Sequence, residues 1–156
     1  MTAAGLPAFL AGLRLLRNLG GIVITIPHKI AFMDHVDRIE ANGRRVGAVN
    51  AVRCDADGTW VADNFDGEGC MRGLAEAGGT VAGRSVLLIG AGGAGSAIAH
   101  AVADRGPGRL RVHDTDASRL DRLLSGLGAA HPLLASEGGP PDPEGFDVVI
   151  NATPLG

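Results

Sequence analysis

The chain has 156 residues, 46% of them apolar, and a formal net charge of −3. That is room for one ordinary domain or two small ones with a core that needs no disulfides, so wholesale disorder is excluded, and the weak negative charge leaves no general nucleic-acid footprint. Glycine is the outlier at 25 residues without a three-residue period, which excludes a collagen-like chain and points to tight turns and close backbone approaches.

In chain order, Pro7 opens a helix on which Leu6, Phe9, Leu13 and Leu16 recur at helical spacing, with Leu10, Leu15 and Leu19 widening the face, until Gly20-Gly21. This stretch has no basic leader segment, and Arg14 and Arg17 interrupt it, so the expectation is neither a signal peptide nor a membrane span. Ile22 to Ile26 reads as a buried strand closed by Pro27, and His28 to Val36 as a short helix. Arg45 to Cys54 reads as a strand region, Asp57-Gly58 as a turn, Thr59 to Ala62 as a returning strand and Gly69 to Ala77 as a helix. The composition changes near Val81. Strands at Ser85 to Ile89, Arg109 to His113, His131 to Ala135 and Asp147 to Ile150 then alternate with helices at Ala94 to Arg105 and Ala117 to Leu127. Residues 137–145 read as a surface loop. Alternation of this kind means an α/β fold with a mostly parallel sheet. The expected division is a domain over 1–80 and a second over 81–156, without internal repeats. Cys54 and Cys70 form neither a disulfide framework nor a metal motif, and no His grouping has metal-ligand spacing; a reducing, cytoplasmic setting suits them.

The strongest local signal is Gly90-Ala91-Gly92-Gly93-Ala94-Gly95, which follows one strand and opens the next helix. In that context Gly90 permits the tight turn, Gly92 the approach of a pyrophosphate and Gly95 close helix–strand packing, while the first helical amides face the phosphates. A small-residue turn between tightly packed elements is the plainer alternative. Asp114 ends the next strand 24 residues after Gly90, where a carboxylate accepts the adenosine ribose hydroxyls and repels a 2′-phosphate. Asp116 is the other acid there, better placed to cap the helix from Ala117. The expectation is NAD over NADP. Arg111 should share a face with His113 rather than Asp114, and Arg119 is the cation that would challenge the preference.

Lys29 sits where the strand ending in Thr25-Ile26-Pro27 turns into a helix. A helix start favours the neutral amine, which suits proton transfer, although a solvated surface lysine is the simpler reading from these residues alone.

Four segments in order change that balance: Thr25-Ile26-Pro27-His28-Lys29, Gly47-Ala48-Val49-Asn50, Asp63-Asn64-Phe65-Asp66-Gly67, and the glycine turn followed by Asn151-Ala152-Thr153-Pro154-Leu155-Gly156. Together they resemble the shikimate and quinate dehydrogenase family. The resemblance implies a Rossmann-like parallel-sheet nucleotide-binding domain and part of an α/β substrate-binding domain. It implies nicotinamide-dependent interconversion of 3-dehydroshikimate and shikimate, or a quinate-like acid. Lys29 would then be the general acid/base, Asp66 its partner and a ligand of a substrate hydroxyl, Asn50 a ligand of another hydroxyl, and Thr25 part of the same wall. Gly90, Ala91, Gly92, Gly93, Ala94, Gly95, Asp114, Asn151 and Thr153 would hold the cofactor. The expected partner is a small hydroxy acid, with neither nucleic acid nor membrane. A nucleotide-binding module or remnant without catalysis is the alternative.

The chain departs from the family at several places. Val23 stands where the family has asparagine, and Phe65 replaces the threonine of the third segment. His113-Asp114-Thr115 stands where many members have Asn-Arg-Thr, whose arginine holds the NADP phosphate. The family's first strand with its paired serines and its closing helix have no counterpart here, so the expectation is a piece truncated at both ends that self-associates through exposed sheet edges.

Overall fold

A computed structural model describes residues 5–155. The first four residues and Gly156, the last residue of the terminal segment, lie outside it. Its contacts divide the chain into two compact units at Phe65/Asp66.

The first unit contains α1 (Leu6–Leu13), β1 (Gly21–Val23), a 3-10 turn (Ala31–His35), β2 (Arg38–Ile39), α2 (Ala41–Val46), β3 (Ala51–Cys54) and β4 (Trp60–Asp63). The sheet runs β1-β3-β4-β2, with β1/β3 and β3/β4 antiparallel and β2/β4 parallel. Gly58, at positive φ, turns β3 into β4, and Asp57 accepts from the Thr59 amide at 2.9 Å. The core gathers Leu6, Leu10, Ile24, Phe32, Val49, Val52, Trp60 and Ala62. Trp60 anchors it: its ring stacks on Phe32 at 6.5 Å, and the Arg14 guanidinium lies 4.3 Å from its centre. Asp37 closes this cluster, accepting from the Trp60 amide at 2.7 Å and from Arg14 at 3.1 Å. The Trp60 amide first, and Arg14 after it, hold the Asp37 carboxyl below the usual carboxylate range.

Several expectations change here. The helix after Pro7 stops at Leu13, so Leu6 and Leu10 form its buried pair while Phe9 and Leu16 are exposed. The strand expected over Ile22 to Ile26 ends at Val23; it is an edge strand, and within that stretch only Ile24 is buried. Pro27 follows a cis peptide bond, and the expected helix from His28 shrinks to the 3-10 turn. Arg45 and Val46 are helical, because Gly47 ends α2 in the left-handed conformation (φ 70°) and extended pairing begins only at Ala51.

The second unit contains α3 (Asp66–Glu76), β5 (Ser85–Ile89), α4 (Gly93–Ala103), β6 (Arg109–His113), α5 (Ala117–Ala130), β7 (Ser136–Gly138) and β8 (Val148–Asn151). Its sheet, β7-β6-β5-β8, is parallel throughout. β5 lies inside it, and Val86, Leu87 and Leu88 are fully buried, as an uninterrupted apolar run requires. The last short strand falls at Ser136–Gly138 rather than at His131 to Ala135, because α5 continues to Ala130 and Leu133 lies in solvent. α3 groups with this unit by packing. A Cβ at Gly67 would lie 2.7 Å from the Ala97 carbonyl carbon and 2.9 Å from the Ala101 Cβ, so the two helices meet backbone to backbone. The division by contact therefore precedes the change in composition by one helix. Among the described residues no helix is long and apolar enough to cross a membrane.

Candidate functional site

In the second unit the Gly90–Gly95 turn leaves the C-terminal end of β5 and enters α4. Its three fixed glycines have different causes. Gly90 has φ 105°, a conformation that L side chains rarely adopt, and its amide donates to the His113 carbonyl at 2.7 Å. A Cβ at Gly95 would lie 2.7 Å from the Gly90 carbonyl carbon and would overlap its oxygen. At Gly92 φ is an ordinary −71°, and a Cβ would meet no atom within 4 Å. The chain's own packing requires the first and third glycines and leaves open space at the second. Gly92 is the N-cap of α4, and no side chain caps that helix. A pyrophosphate fits an N-terminus of this kind.

The other candidate cofactor residues gather around the turn. Ala152 donates to the Ile89 carbonyl at 2.8 Å, and a Cβ at Gly90 would lie 3.1 Å from the Ala152 backbone and 3.2 Å from Thr153. Asn151 Oδ1 accepts from the Thr153 amide at 2.9 Å and its hydroxyl at 2.8 Å, which fixes both side chains. Asp114 reaches back to the turn: Oδ2 accepts from the Ala91 amide at 2.6 Å and Oδ1 from the Asp116 amide at 2.8 Å. Each carboxylate oxygen keeps a second lone pair, so a braced Asp114 still has acceptor capacity for ribose hydroxyls. Asp116 is the N-cap of α5, accepting from the Ser118 amide at 3.0 Å and the Arg119 amide at 3.2 Å. The Ser118 hydroxyl first, and the Arg119 amide after it, hold its carboxyl below the usual range. Arg111 pairs with Glu137 at 2.7 Å, and His113 Nδ1 donates to the Gly139 carbonyl at 2.9 Å.

In the first unit, segments far apart in sequence are laced together at one end of the sheet. The Val49 amide donates to the Lys29 carbonyl at 2.9 Å and the Ile24 amide to the Asn50 carbonyl at 2.7 Å, joining 25–29 to 47–50. The Asn64 amide nitrogen donates to the Ala48 carbonyl at 3.0 Å, and Asn50 Oδ1 accepts from the Phe65 amide at 3.0 Å, joining 47–50 to 63–65. Backbone hydrogen bonds thus join the segments that carry Lys29 and Asn50; exposed Val23 ends β1, and exposed Phe65, whose amide meets Asn50 Oδ1, immediately precedes α3. Asp66 opens α3 in the second unit. Sequence reasoning missed Asn64, which is 4% exposed and binds one motif to another, and missed the reach of Asp114 to Ala91. Nothing in the spacing signals either bond.

The parallel sheet with a glycine turn at its C-terminal edge defines a dinucleotide-binding class of fold. The family described as "Shikimate dehydrogenase substrate binding domain" matches residues 1–52. The NADP(+)-dependent shikimate dehydrogenase of Rubrobacter xylanophilus is 38% identical over 151 residues, covering 94% of this chain and 53% of that protein. Among solved structures, a shikimate dehydrogenase in complex with NADP+ superposes with a TM-score of 0.87 at 28% identity, over 100% of this chain and 55% of that one. Quinate dehydrogenase from Corynebacterium glutamicum, in complex with NAD, gives 0.80 at 34% identity, over 96% and 54%. The chain is similar to shikimate and quinate dehydrogenases over nearly its whole length and spans about half the length of the curated relatives it matches.

Proposed function

We propose that this chain carries the acid/base group and the dinucleotide-binding turn of a nicotinamide-dependent dehydrogenase of the shikimate or quinate type, working in the cytoplasm on a cyclic hydroxy acid. The observation that carries the reading is Gly92, the one fixed glycine of the turn that the chain's own packing does not require. When bound, the reduced cofactor supplies a hydride to the substrate carbonyl carbon. The Lys29 ammonium gives its proton to the developing alkoxide, and takes it back when the alcohol is oxidised. Thr25 and Asn50 orient the hydroxyls, with the Asn50 side chain already held by the Phe65 amide. Asp66 is carried over from the family motif as a further substrate ligand. Ala91, Gly93 and Ala94 offer turn and helix-start backbone to the phosphates beside Gly90, Gly92 and Gly95, and Asn151 and Thr153 flank them. Val23 and Phe65 put apolar surface where hydroxyl ligands would stand, favouring an acid with fewer hydroxyls on that side.

For the cofactor we favour NAD over NADP. Asp114 places a carboxylate at the ribose position, Arg111 is paired with Glu137, and Arg119 Nε lies 3.2 Å from Asp116 Oδ2. NADP would bring a further charge of about −1.5 to −2 to this acidic corner. The test of the catalytic role is Lys29→Ala, assayed with shikimate and quinate. The expected result is a loss of turnover of about 10²–10⁴-fold with NAD+ affinity nearly unchanged. Near-normal turnover would remove Lys29 from the chemistry.

A further inference from the structure

The corner beyond β6 holds two acids and one arginine in a fixed relation. Asp114 is committed at both oxygens to backbone amides, Ala91 at 2.6 Å and Asp116 at 2.8 Å. It braces the glycine turn. Replacing it would loosen the turn, because an asparagine has only one oxygen to accept with. Asp116 is bound differently. Its Oδ1 takes the Ser118 hydroxyl at 2.7 Å and the two α5 amides, while its Oδ2 lies 3.2 Å from Arg119 Nε. The Arg119 side chain is 56% exposed and one helical turn along α5, so this pairing sets where its guanidinium rests.

We propose that Asp116 is a specificity-determining residue for the cofactor: by holding Arg119 in an internal ion pair, it withholds from a 2′-phosphate the cation that would otherwise accept NADP. The inference rests on the reading that the second unit binds a nicotinamide dinucleotide. It goes beyond that reading by placing part of the selectivity on a residue that contacts neither ribose nor phosphate. One further feature fits it: the arginines at β6 are otherwise engaged, Arg111 with Glu137 and Arg109 over the Phe146 ring at 4.3 Å. An exposed pair of this kind is weak on its own, so a single substitution should release the arginine.

The experiment is a double-mutant cycle on the chain, reading dissociation constants for NAD+ and NADP+ at one ionic strength. Asp116→Ser keeps a good N-cap and removes the charge. It should tighten NADP+ about two- to fivefold relative to NAD+, the scale of the exposed ion pair that no longer has to be given up. Arg119→Ala alone should leave the ratio nearly unchanged, and Arg119→Ala added to Asp116→Ser should cancel the gain. Asp116→Asn, another capping residue, repeats the test if the serine variant unfolds at lower temperature. An unchanged ratio in both Asp116 variants would overturn the proposal, as would a gain that survives loss of Arg119, or a parent protein in which Arg119→Ala already weakens NADP+ by as much. Failure of the parent to bind either dinucleotide would instead overturn the functional reading, and this proposal with it.

Discussion

The two candidate sites are built in opposite ways. In the second unit, strand, turn, helix and next strand follow one another, so the glycine turn and Asp114 arrive within a single βαβ stretch and main-chain geometry does most of the placing. In the first unit, Thr25, Lys29 and Asn50 come from loops separated by tens of residues, and four backbone-directed hydrogen bonds hold those loops together. A site of the first kind is rigid where backbones touch; a site of the second kind is as firm as its lacing. The difference predicts where each should fail.

The largest expected effect is on the close backbone approach. Gly95→Ala puts a Cβ into the Gly90 carbonyl, and neither partner is a side chain that can swing away. Equilibrium unfolding should show a loss of about 3 kcal/mol, at the upper end of ordinary overpacking. A nearly neutral result would mean that the turn is not packed as described. Next comes the lacing. Asn64→Ala leaves the buried Ala48 carbonyl without this donor, and should cost about 2 kcal/mol. It should also weaken turnover more than cofactor binding, since it holds the 47–50 segment that carries Asn50 and that in turn bonds the Lys29 carbonyl through Val49. If cofactor affinity fell as much as turnover, the two sites would not be separable in this way.

The smallest effect concerns acid. Asp37 has a folded-state carboxyl below its ordinary range, through the Trp60 amide and Arg14. A depressed carboxylate contributes stability that is present above its unfolded value, near about 3.9, and is lost as pH falls through the folded value. The side chain is 45% exposed, so screening keeps the contribution modest. Between about pH 6 and about pH 3 the melting temperature of the parent should therefore fall somewhat more than that of Asp37→Asn. Equal slopes would show that the Arg14–Asp37–Trp60 cluster holds no pH-dependent stability.

The same contrast explains what could be read from the sequence. β5, the glycine turn, α4 and β6 are legible to within two residues, because apolar runs and glycine spacing are local signals. α2 is not, because Asn42 and Gly43 are poor helix formers in a segment of only six residues. It forms in place, with the Gly43 amide on Asp63 Oδ1 at 2.6 Å and its Cα packed against Ile39 and Val49. β7 is misplaced because Leu133 and Leu134 carry the apolar signal, while the paired residues are Ser136–Gly138 on the edge of β6. Lys29 alone reads more simply as a solvated surface lysine, and only resemblance to a family joins it to Asn50, since no periodicity connects positions 25–29 with 47–50. The Asp116–Arg119 pair, at helical spacing, could be read from sequence; the bond from Asp114 to Ala91 could not.

The central claim is that a dinucleotide lies against the backbone of Gly92, and Gly92→Ala tests it most directly. The chain itself has room for that Cβ, at φ −71° and with no atom within 4 Å. The account predicts an unchanged melting temperature and NAD+ binding weakened about tenfold or more, because the methyl group occupies the space of the pyrophosphate. An equally stable variant that binds NAD+ as tightly as the parent would contradict it.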